Sequence, residues 1–420
     1  MDKVALLIFV AAIVLAFVRK NNIGIIALAL GVVAVRLFGL TDKDLYSSIS
    51  TSLFSALVGI TLLFSIIIKT GALQLLAQKI VALAGKRIWL IPALLFCAGS
   101  LLTGVGPGGV PALAIMPPLA VAIALEVGYN PVMLALIGIA GMTPGRFTAI
   151  TPEAAVIMNA VNNAGYEGKH VMFIIAFCIL VTNIFIALGT FFIFGGHKVK
   201  APENISGKAL PKFSGKQVVA LLSILVMLFL IIFCNVNYGM AALAVAAVLL
   251  LFHVVDEKEA IKGMPWGTIV MVLGVGALLN IVNKMGGIDL IRNGLEKIMN
   301  QTTATPLMGL SAGLLSLVSS ALGVVYPTLM PVCIDMSATV GVNATALMAS
   351  VAAGGSLAGI SPMSTGGALI IAAVSNEKKE AFTKEEENKI FMWLLIAAAA
   401  NLGVLLVTSF AFPAIAAMFG

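Results

Sequence analysis

Charge is scarce in this chain. Asp, Glu, Lys and Arg together make up 10% of its 420 residues, against 60% hydrophobic residues, and the mean hydropathy is +1.11. A water-soluble fold cannot hide so much apolar surface, which excludes an ordinary globular domain. Cysteine is also rare. Cys97, Cys178, Cys234 and Cys333 all lie in apolar stretches without paired spacing, so they read as buried apolar side chains rather than a disulfide or metal set. The three histidines, His170, His197 and His253, are far apart at the ends of apolar runs. No HExxH, GxSxG or P-loop pattern occurs, so nothing supplies a metal centre, a nucleophile with its base, or a nucleotide cradle. Neither an enzyme nor a resident cofactor is expected.

What the chain does have is a succession of apolar runs, each about 16 to 25 residues long, the length of a membrane crossing. The formal net charge of +7 does not point to nucleic acid, because the Lys and Arg sit in short loops between runs, where the positive-inside rule puts them. The first run, Val4 to Val18, lacks a small-residue cleavage site after it. It reads as a retained span, not a signal peptide.

The chain also repeats itself. Val4-Ala5-Leu6-Leu7 returns as Val219-Ala220-Leu221-Leu222, 215 positions on, and at that offset Asn22, Gly24, Lys69 and Gly71 match Asn237, Gly239, Lys284 and Gly286. The offset then drifts. It is 214 for Pro92 and Gly99 against Pro306 and Gly313, 213 for Gly128, Asn130 and Gly141 against Gly341, Asn343 and Gly354, and 210 for Ile150-Thr151-Pro152 against Ile360-Ser361-Pro362. Shared composition explains matched Leu and Ala, but not an ordered register of Gly, Pro and Asn. We read an internal duplication, with a first half over 1–195, a linker over 196–216 and a second half over 217–420.

Loop charge orients the halves. Arg19-Lys20, Lys86-Arg87 and the linker, with five Lys and one Glu, belong on the cytoplasmic side, and Asp42-Lys43-Asp44 outside. Val4 then starts outside and Val219 inside. An odd number of crossings per half makes the repeat inverted, a plan common in secondary transporters. The expected fold is an all-α polytopic membrane protein of about ten spans plus two re-entrant hairpins, in the inner (cytoplasmic) membrane, with both termini outside. Spans are predicted near 4–18, 23–40, 51–69, 170–194 and 390–418. Amphipathic interfacial helices are predicted at 72–84 and 288–299.

Two kinds of interruption break the pattern. Ile88–Thr103 and Pro111–Leu125 are short apolar pieces flanking Gly104-Val105-Gly106-Pro107-Gly108-Gly109-Val110-Pro111, which cannot continue a helix. Either two full spans meet at an outside turn, or, as the short pieces favour, a hairpin over 88–125 re-enters the membrane. Its counterpart is 306–338, bending around Ser319 to Pro327. The next helix in each half, 131–162 and 343–374, is itself broken. Helical character stops at Met142 and restarts at Thr151-Pro152-Glu153, a Thr N-cap with Pro and an acid in the first turn. In the second half, 354–359 breaks the helix and Ser361-Pro362 restarts it.

Paired broken helices near mid-membrane suit a binding site. Half-helix N-termini favour anions. Free carbonyls and the hydroxyls of Thr143, Thr148, Ser356, Ser361, Ser364 and Thr365 can ligate a small cation. Gly and Pro could also merely kink packed helices. Arg146 is the key charge, since an Arg at a break inside the membrane needs a partner. A substrate carboxylate fits its planar fork; a structural ion pair with Glu153 or Asp335 is the other reading. Glu153 could stabilise its helix end, carry a proton or help bind a cation.

With these residues in place, Ile91-Pro92 through Thr151-Pro152 resembles the MatC-type dicarboxylate (malonate) carriers of the ion transporter superfamily. The likeness lies in the Gly/Pro-rich hairpin, Asn130-Pro131-Val132-Met133, and Phe147-Thr148-Ala149-Ile150-Thr151-Pro152. It is best over residues 1 to 160. It implies a scaffold domain, a mobile transport domain with two hairpins, carboxylate transport and commonly a homodimer, the plan shared with divalent anion–sodium symporters. The Ser-Asn-Thr hairpin tips of those symporters are absent. Pro107-Gly108-Gly109 and Val324-Val325-Tyr326 stand near those places.

The expected substrate contacts are therefore Arg146, Thr148, Thr151, Pro152, Gly108, Gly109, Ser361, Pro362, Ser364 and Thr365. The expected ion-coupling residues are Thr143, Gly145, Glu153, Gly355, Ser356 and Gly359, with Na⁺ favoured over H⁺ because hydroxyls outnumber buried acids. A cation/proton antiporter is the alternative within transport, and would rely on Glu153 and Asp335. A channel is the alternative outside it. In a chain cleared of its native cysteines, single cysteines at Ile205 and Gly420 are expected to react with an impermeant thiol reagent from opposite sides of the membrane. Labelling from one side would refute the inverted order.

Overall fold

Helix boundaries fall where the sequence supplies caps. The computed structural model describes the chain apart from Lys20, Lys86, 200–209, Met363 and Gly420, and apart from the side chains of Val318 and Glu380. The middle of the expected linker, and one residue of each cytoplasmic basic pair, thus lie outside the described residues. The first half runs α1 (Asp2–Arg19), α2 (Ile23–Leu37), α3 (Asp42–Ser47), α4 (Thr51–Lys69), α5 (Ala72–Ala82), α6 (Ile91–Gly104), α7 (Gly109–Leu113), α8 (Met116–Val127), α9 (Pro131–Gly145), α10 (Pro152–Asn163) and α11 (Val171–Ile193). The second runs α12 (Gly215–Cys234), α13 (Tyr238–Leu251), α14 (Glu257–Lys262), α15 (Trp266–Lys284), α16 (Gly287–Glu296), α17 (Ala304–Val318), α18 (Tyr326–Val340), α19 (Ala344–Leu357), α20 (Thr365–Lys378), α21 (Lys384–Thr408) and α22 (Phe412–Phe419). No strand occurs among the described residues, and eight helical segments are long and apolar enough to cross a membrane.

Matching caps start matching helices. The Asn22 side chain accepts the Gly24 N–H before α2, and Asn237 accepts the Gly239 N–H before α13. Asn130 and Asn343 do the same for α9 and α19. Each such bond satisfies a donor that the first helical turn leaves open. Left-handed Gly71 and Gly286 precede α5 and α16, and left-handed Gly128 and Gly341 end α8 and α18.

Two helix crossings tie the halves together. α2 packs on α15 and α13 packs on α4. A Cβ on Gly24 would run into the backbone of Val270 and Met271, and one on Gly239 into that of Ser55 and Ala56. Gly274 and Gly59 meet the Gly24 and Gly239 carbonyls in the same way. In a bilayer, where hydrophobicity does not drive helices together, such close backbone contact is the main source of association. Outside the crossings, Lys69 pairs with Glu259 at 2.8 Å and Lys284 with Asp44 at 3.5 Å. Both pairs are substantially exposed, so they contribute little stability. The Thr41 N–H and hydroxyl, ahead of Lys284, hold the Asp44 carboxyl below its ordinary range.

The remaining elements converge on one centre. α6 packs along α9 and α17 along α19, whereas α10 lies on α18 and α20 on α8. Each post-break helix therefore rests on the bent element of the other half. That exchange brings both breaks and both bends together.

Three boundaries differ from expectation. α9 continues through Thr143-Pro144-Gly145, so the first break is 146–151. Pro144 sits in the last turn, where its ring removes only one hydrogen bond, and the Thr143 hydroxyl donates to the Ile139 carbonyl at 3.0 Å. α19 likewise runs through Gly354, Gly355 and Ser356 to Leu357. Gly354 serves contact with the Gly309 backbone, not a break. Finally, the second half restarts at Thr365, not at Ser361-Pro362. The Ser364 hydroxyl donates back to the Gly359 and Ser361 carbonyls, which holds 361–364 in a turn. The last apolar run begins at Lys384 and is interrupted by a 3₁₀ turn at Ser409–Ala411.

The crossings give a direct test. Gly→Ala normally favours a helix by about 1 kcal/mol. A methyl added at Gly189 in α11 would meet nothing within 4 Å, so Gly189→Ala is expected to leave the melting temperature of the purified protein unchanged or raised. Gly24→Ala and Gly239→Ala force backbones apart, an overpacking cost of about 1–3 kcal/mol, and are expected to lower it.

Candidate functional site

The first break is a short loop closed by its own hydroxyls. Thr151 caps α10, accepting the Ala154 N–H at 3.2 Å, and donates to the carbonyls of Arg146 (2.6 Å) and Thr148 (2.9 Å). Thr148 in turn donates to the Gly104 carbonyl at 2.7 Å, which ties the break to the end of α6. Local geometry thus fixes where Arg146 and Glu153 stand, one on each side of the interruption.

These two residues form a buried ion pair. Arg146 Nε lies 2.9 Å from Glu153 Oε1, with side chains 18% and 2% exposed. The same oxygen accepts the backbone N–H of Gly109, from the bend after α6, at 2.9 Å. Glu153 Oε2 is buried without a hydrogen-bond partner among the described residues. The bend is shaped around the pair. Gly108, at φ 74°, backs onto the Glu153 carboxylate, and Gly109 faces the guanidinium, so a Cβ at either position would collide with those side chains. Asp335, the other partner considered for Arg146, is instead 3.7 Å from Arg292 and 46% exposed.

The pair borders a cavity of about 430 Å³, in the range of small-molecule sites. Of the residues expected in a site, Gly109, Thr143, Arg146, Glu153, Gly355, Ser356, Gly359, Ser361, Ser364 and Thr365 line it. The other six do not. Thr148, Thr151 and Pro152 build the break and the α10 start, Gly145 packs against Ser100 and Thr103, Gly108 backs Glu153, and Pro362 is buried in the turn. Arg146 and Glu153 are the titratable groups in the lining. The Arg146 Nη atoms make no hydrogen bond among the described residues.

Hydroxyl protons here are given mostly to the chain's own carbonyls. Ser356 donates to Ala352 (2.8 Å) and Thr143 to Ile139, which leaves oxygen lone pairs for a ligand. No cluster of His, Cys, Asp or Glu suited to a metal occurs among the described residues. The cysteines are unpaired, with Cys178 and Cys333 buried and Cys97 and Cys234 exposed.

Sequence reasoning missed the second bend's share. Ser316, Ser319 and Ser320 line the cavity. Tyr326, fully buried at the start of α18, shares a 2.9 Å hydrogen bond with Ser356 Oγ and meets Phe147 edge-on at 6.0 Å. A tyrosine beside a Gly-Val-Val bend in an otherwise apolar run was the available signal.

Among the described residues the chain is all-helical, with its broken helices and bends around a buried ion pair, and the family and fold it shares are those of membrane transporters, not enzymes. The fold is similar to that of the Alcanivorax borkumensis YdaH transporter, whose structure is described as having an unusual topology (TM-score 0.59, 13% identity, 89% of this chain and 87% of that one). It is also similar to Neisseria gonorrhoeae MtrF, described with a class of antimetabolite efflux pumps (TM-score 0.57, 14% identity, 90% and 84%). The chain belongs to the CitMHS citrate transporter family, whose profile matches residues 12–354. A comparison with curated protein sequences finds none that matches.

The Gly109–Glu153 contact can be measured. A hydrogen bond to a charged group contributes about 1.5–3 kcal/mol. Glu153→Ala is therefore expected to raise amide hydrogen exchange in 105–113 about tenfold or more, with 319–325 unaffected. Unchanged exchange in 105–113 would show that the bend is held without Glu153.

Proposed function

We propose that the chain is a secondary active transporter that moves a small carboxylate, a dicarboxylate in the first instance, across the cytoplasmic membrane. One observation carries this reading. A single guanidinium, held at Nε by Glu153, lines the cavity with its Nη edge unbonded among the described residues. That edge suits a carboxylate, which two parallel N–H donors bind in a fixed geometry. The start of α20 adds to it. Ser364 makes no side-chain cap bond there, and Thr365 and Gly366 line the cavity, so first-turn N–H groups are available to an anion. α10, by contrast, already has Thr151 and Glu153 at its start. Family membership and the MatC-like stretch support a carboxylate. The inverted order of the halves, external termini and a homodimer complete the proposed plan.

Coupling to Na⁺ or H⁺ follows from charge. The Arg146–Glu153 pair is neutral as a unit, so an arriving anion needs a cation to accompany it through a low-dielectric site. An antiporter loading cations at Glu153 would place them against the Arg146 guanidinium, and Asp335 is too exposed to serve as its second acid.

In proteoliposomes, counterflow with mono-, di- and tricarboxylates is expected to select a carboxylate. Arg146→Gln should abolish that exchange while the protein still purifies as a monodisperse species, and Arg146→Lys should restore it only in part. Normal exchange by Arg146→Gln would make Arg146 a purely structural partner of Glu153. Removing Na⁺ and adding a protonophore, each alone, separates the two coupling ions.

A further inference from the structure

Two parts of the fold follow the repeat, and the contact between them does not. In the frame, α2 on α15 is the counterpart of α13 on α4. Around the site, α10 on α18 is the counterpart of α20 on α8. Between these two parts, α10 packs on α4, and α18 packs on α15 together with the bend at Ala321–Val325. No packing of that kind joins α20 to α15, or α8 to α4, among the described residues.

A pair of valines marks the difference. At the offset of 214, Gly109-Val110 aligns with Gly323-Val324. Val324 is fully buried, and Gly323 packs against the Met271 side chain of α15. Val110 lines the cavity and is 46% exposed. The first bend touches α4 at Gly106, against the Phe64 ring, but leaves Val110 open. Phe17, in the last turn of α1 with Arg19, borders the cavity as well. The open side is therefore the one expected to be cytoplasmic.

The closed side is held by neutral groups. The Ser50 hydroxyl, at the cap of α4, donates to Asn159 Oδ1 of α10 at 2.9 Å. Asn280 Nδ2 of α15 donates to the Ser48 carbonyl at 2.9 Å. Around them lies a cavity of about 150 Å³ that Asn163 and Asn283 also line, with no charged side chain. Such amides and hydroxyls exchange each other for water at small net cost, so the contact can hold and still release.

Building on the inverted order proposed above, and not on the choice of substrate, we propose that Ser50 and Asn159 form a latch. It holds the outer side closed, and it opens when the mirrored contact, α20 on α15 and α8 on α4, forms. In an inverted repeat the second arrangement is the first with the halves' roles exchanged. Val324 then opens and Val110 is covered. The latch itself is not repeated. Ser50 aligns with Pro265 at the offset of 215, and Asn159 with Leu369 at the offset of 210. The mirrored contact lacks this hydrogen bond, so the latch biases the empty carrier toward the arrangement described here.

The test uses the full-length protein in detergent, cleared of its native cysteines, with one cysteine at Val110 or Val324 and N-ethylmaleimide as probe. Val110→Cys is expected to react fast and Val324→Cys slowly. Adding Asn159→Ala is expected to raise the rate at 324 about fivefold, the shift that one neutral hydrogen bond carries, while the rate at 110 stays level or falls. Equal rates at the two positions with Asn159 intact would overturn the proposal, and that measurement needs no latch variant to fold. With Asn159→Ala, a rise at both positions, or none at 324, would overturn it too. In proteoliposomes, a disulfide between Ser50→Cys and Asn159→Cys is expected to stop counterflow until it is reduced; counterflow that persists through it would overturn the latch. The labelling uses no substrate, so failure of the carboxylate reading leaves this inference standing. One-sided labelling at Ile205 and Gly420 would remove the inverted order, and this inference with it.

Discussion

The structure depends on keeping one ion pair buried inside a membrane. Ionised groups of this size lose several kcal/mol each when taken out of water, and recover it only with good geometry and satisfied hydrogen bonds. Removing one partner of such a pair typically costs about 3–5 kcal/mol. The surroundings of Arg146 and Glu153 follow from this. The break places the two residues seven positions apart on either side of one loop, at 2.9 Å. Thr151 and Thr148 hold that loop with their hydroxyls. Gly108 and Gly109 bring a backbone donor within reach, which no residue with a Cβ could do.

A pair buried at the centre needs a frame that is rigid and does not occupy the centre itself. The crossings of α2 with α15 and α13 with α4 supply it. Their glycines let backbones touch, so helix association relies on packing and not on polar side chains, which lipid would penalise. The exchange of post-break helices onto the opposite bends then ties the site to both halves. A movement of one bend is therefore felt by the break of the other half.

Most of this frame was legible in the sequence because it is written in residues with few roles. Asn22 and Asn237, and Gly71 and Gly286, stood out as matched positions of the repeat, and the structure gives the reason: the asparagines cap helices and the glycines make left-handed turns. The site was legible in part. Arg146 stood out because an intramembrane charge requires a partner, but which acid it meets is a fact of tertiary packing, and sequence left Glu153 and Asp335 open. The limits of the breaks were misread for a related reason. Gly354, Gly355 and Pro144 look like helix breakers, yet in a buried helix glycine also serves close contact, and Pro near a C-terminus removes little. Ser361-Pro362 copied the Thr151-Pro152 signature, but a nearby hydroxyl, Ser364, captured the carbonyls and delayed the helix to Thr365. Tyr326 was noted only as standing near the second hairpin tip, because the contact of its hydroxyl with Ser356 arises from tertiary packing.

The two halves share a frame but not a chemistry, and the difference is what makes a single site. At the offsets that align Ile150-Thr151-Pro152 with Ile360-Ser361-Pro362, Glu153 faces Met363, and the stretch from Ser356 to Thr365 carries no charged residue. The second half contributes instead an uncapped helix start and a line of small hydroxyls. A second Arg–Glu pair would double the desolvation penalty at the centre and offer the anion two competing positions. One charged break and one neutral break line the same cavity, the first with a guanidinium and a carboxylate, the second with small hydroxyls and a helix start. On the inverted plan proposed above, one part of the fold would rock against the other around a fixed site. Such a carrier gains from an asymmetric site, because the cargo then keeps the same contacts while the frame changes around it.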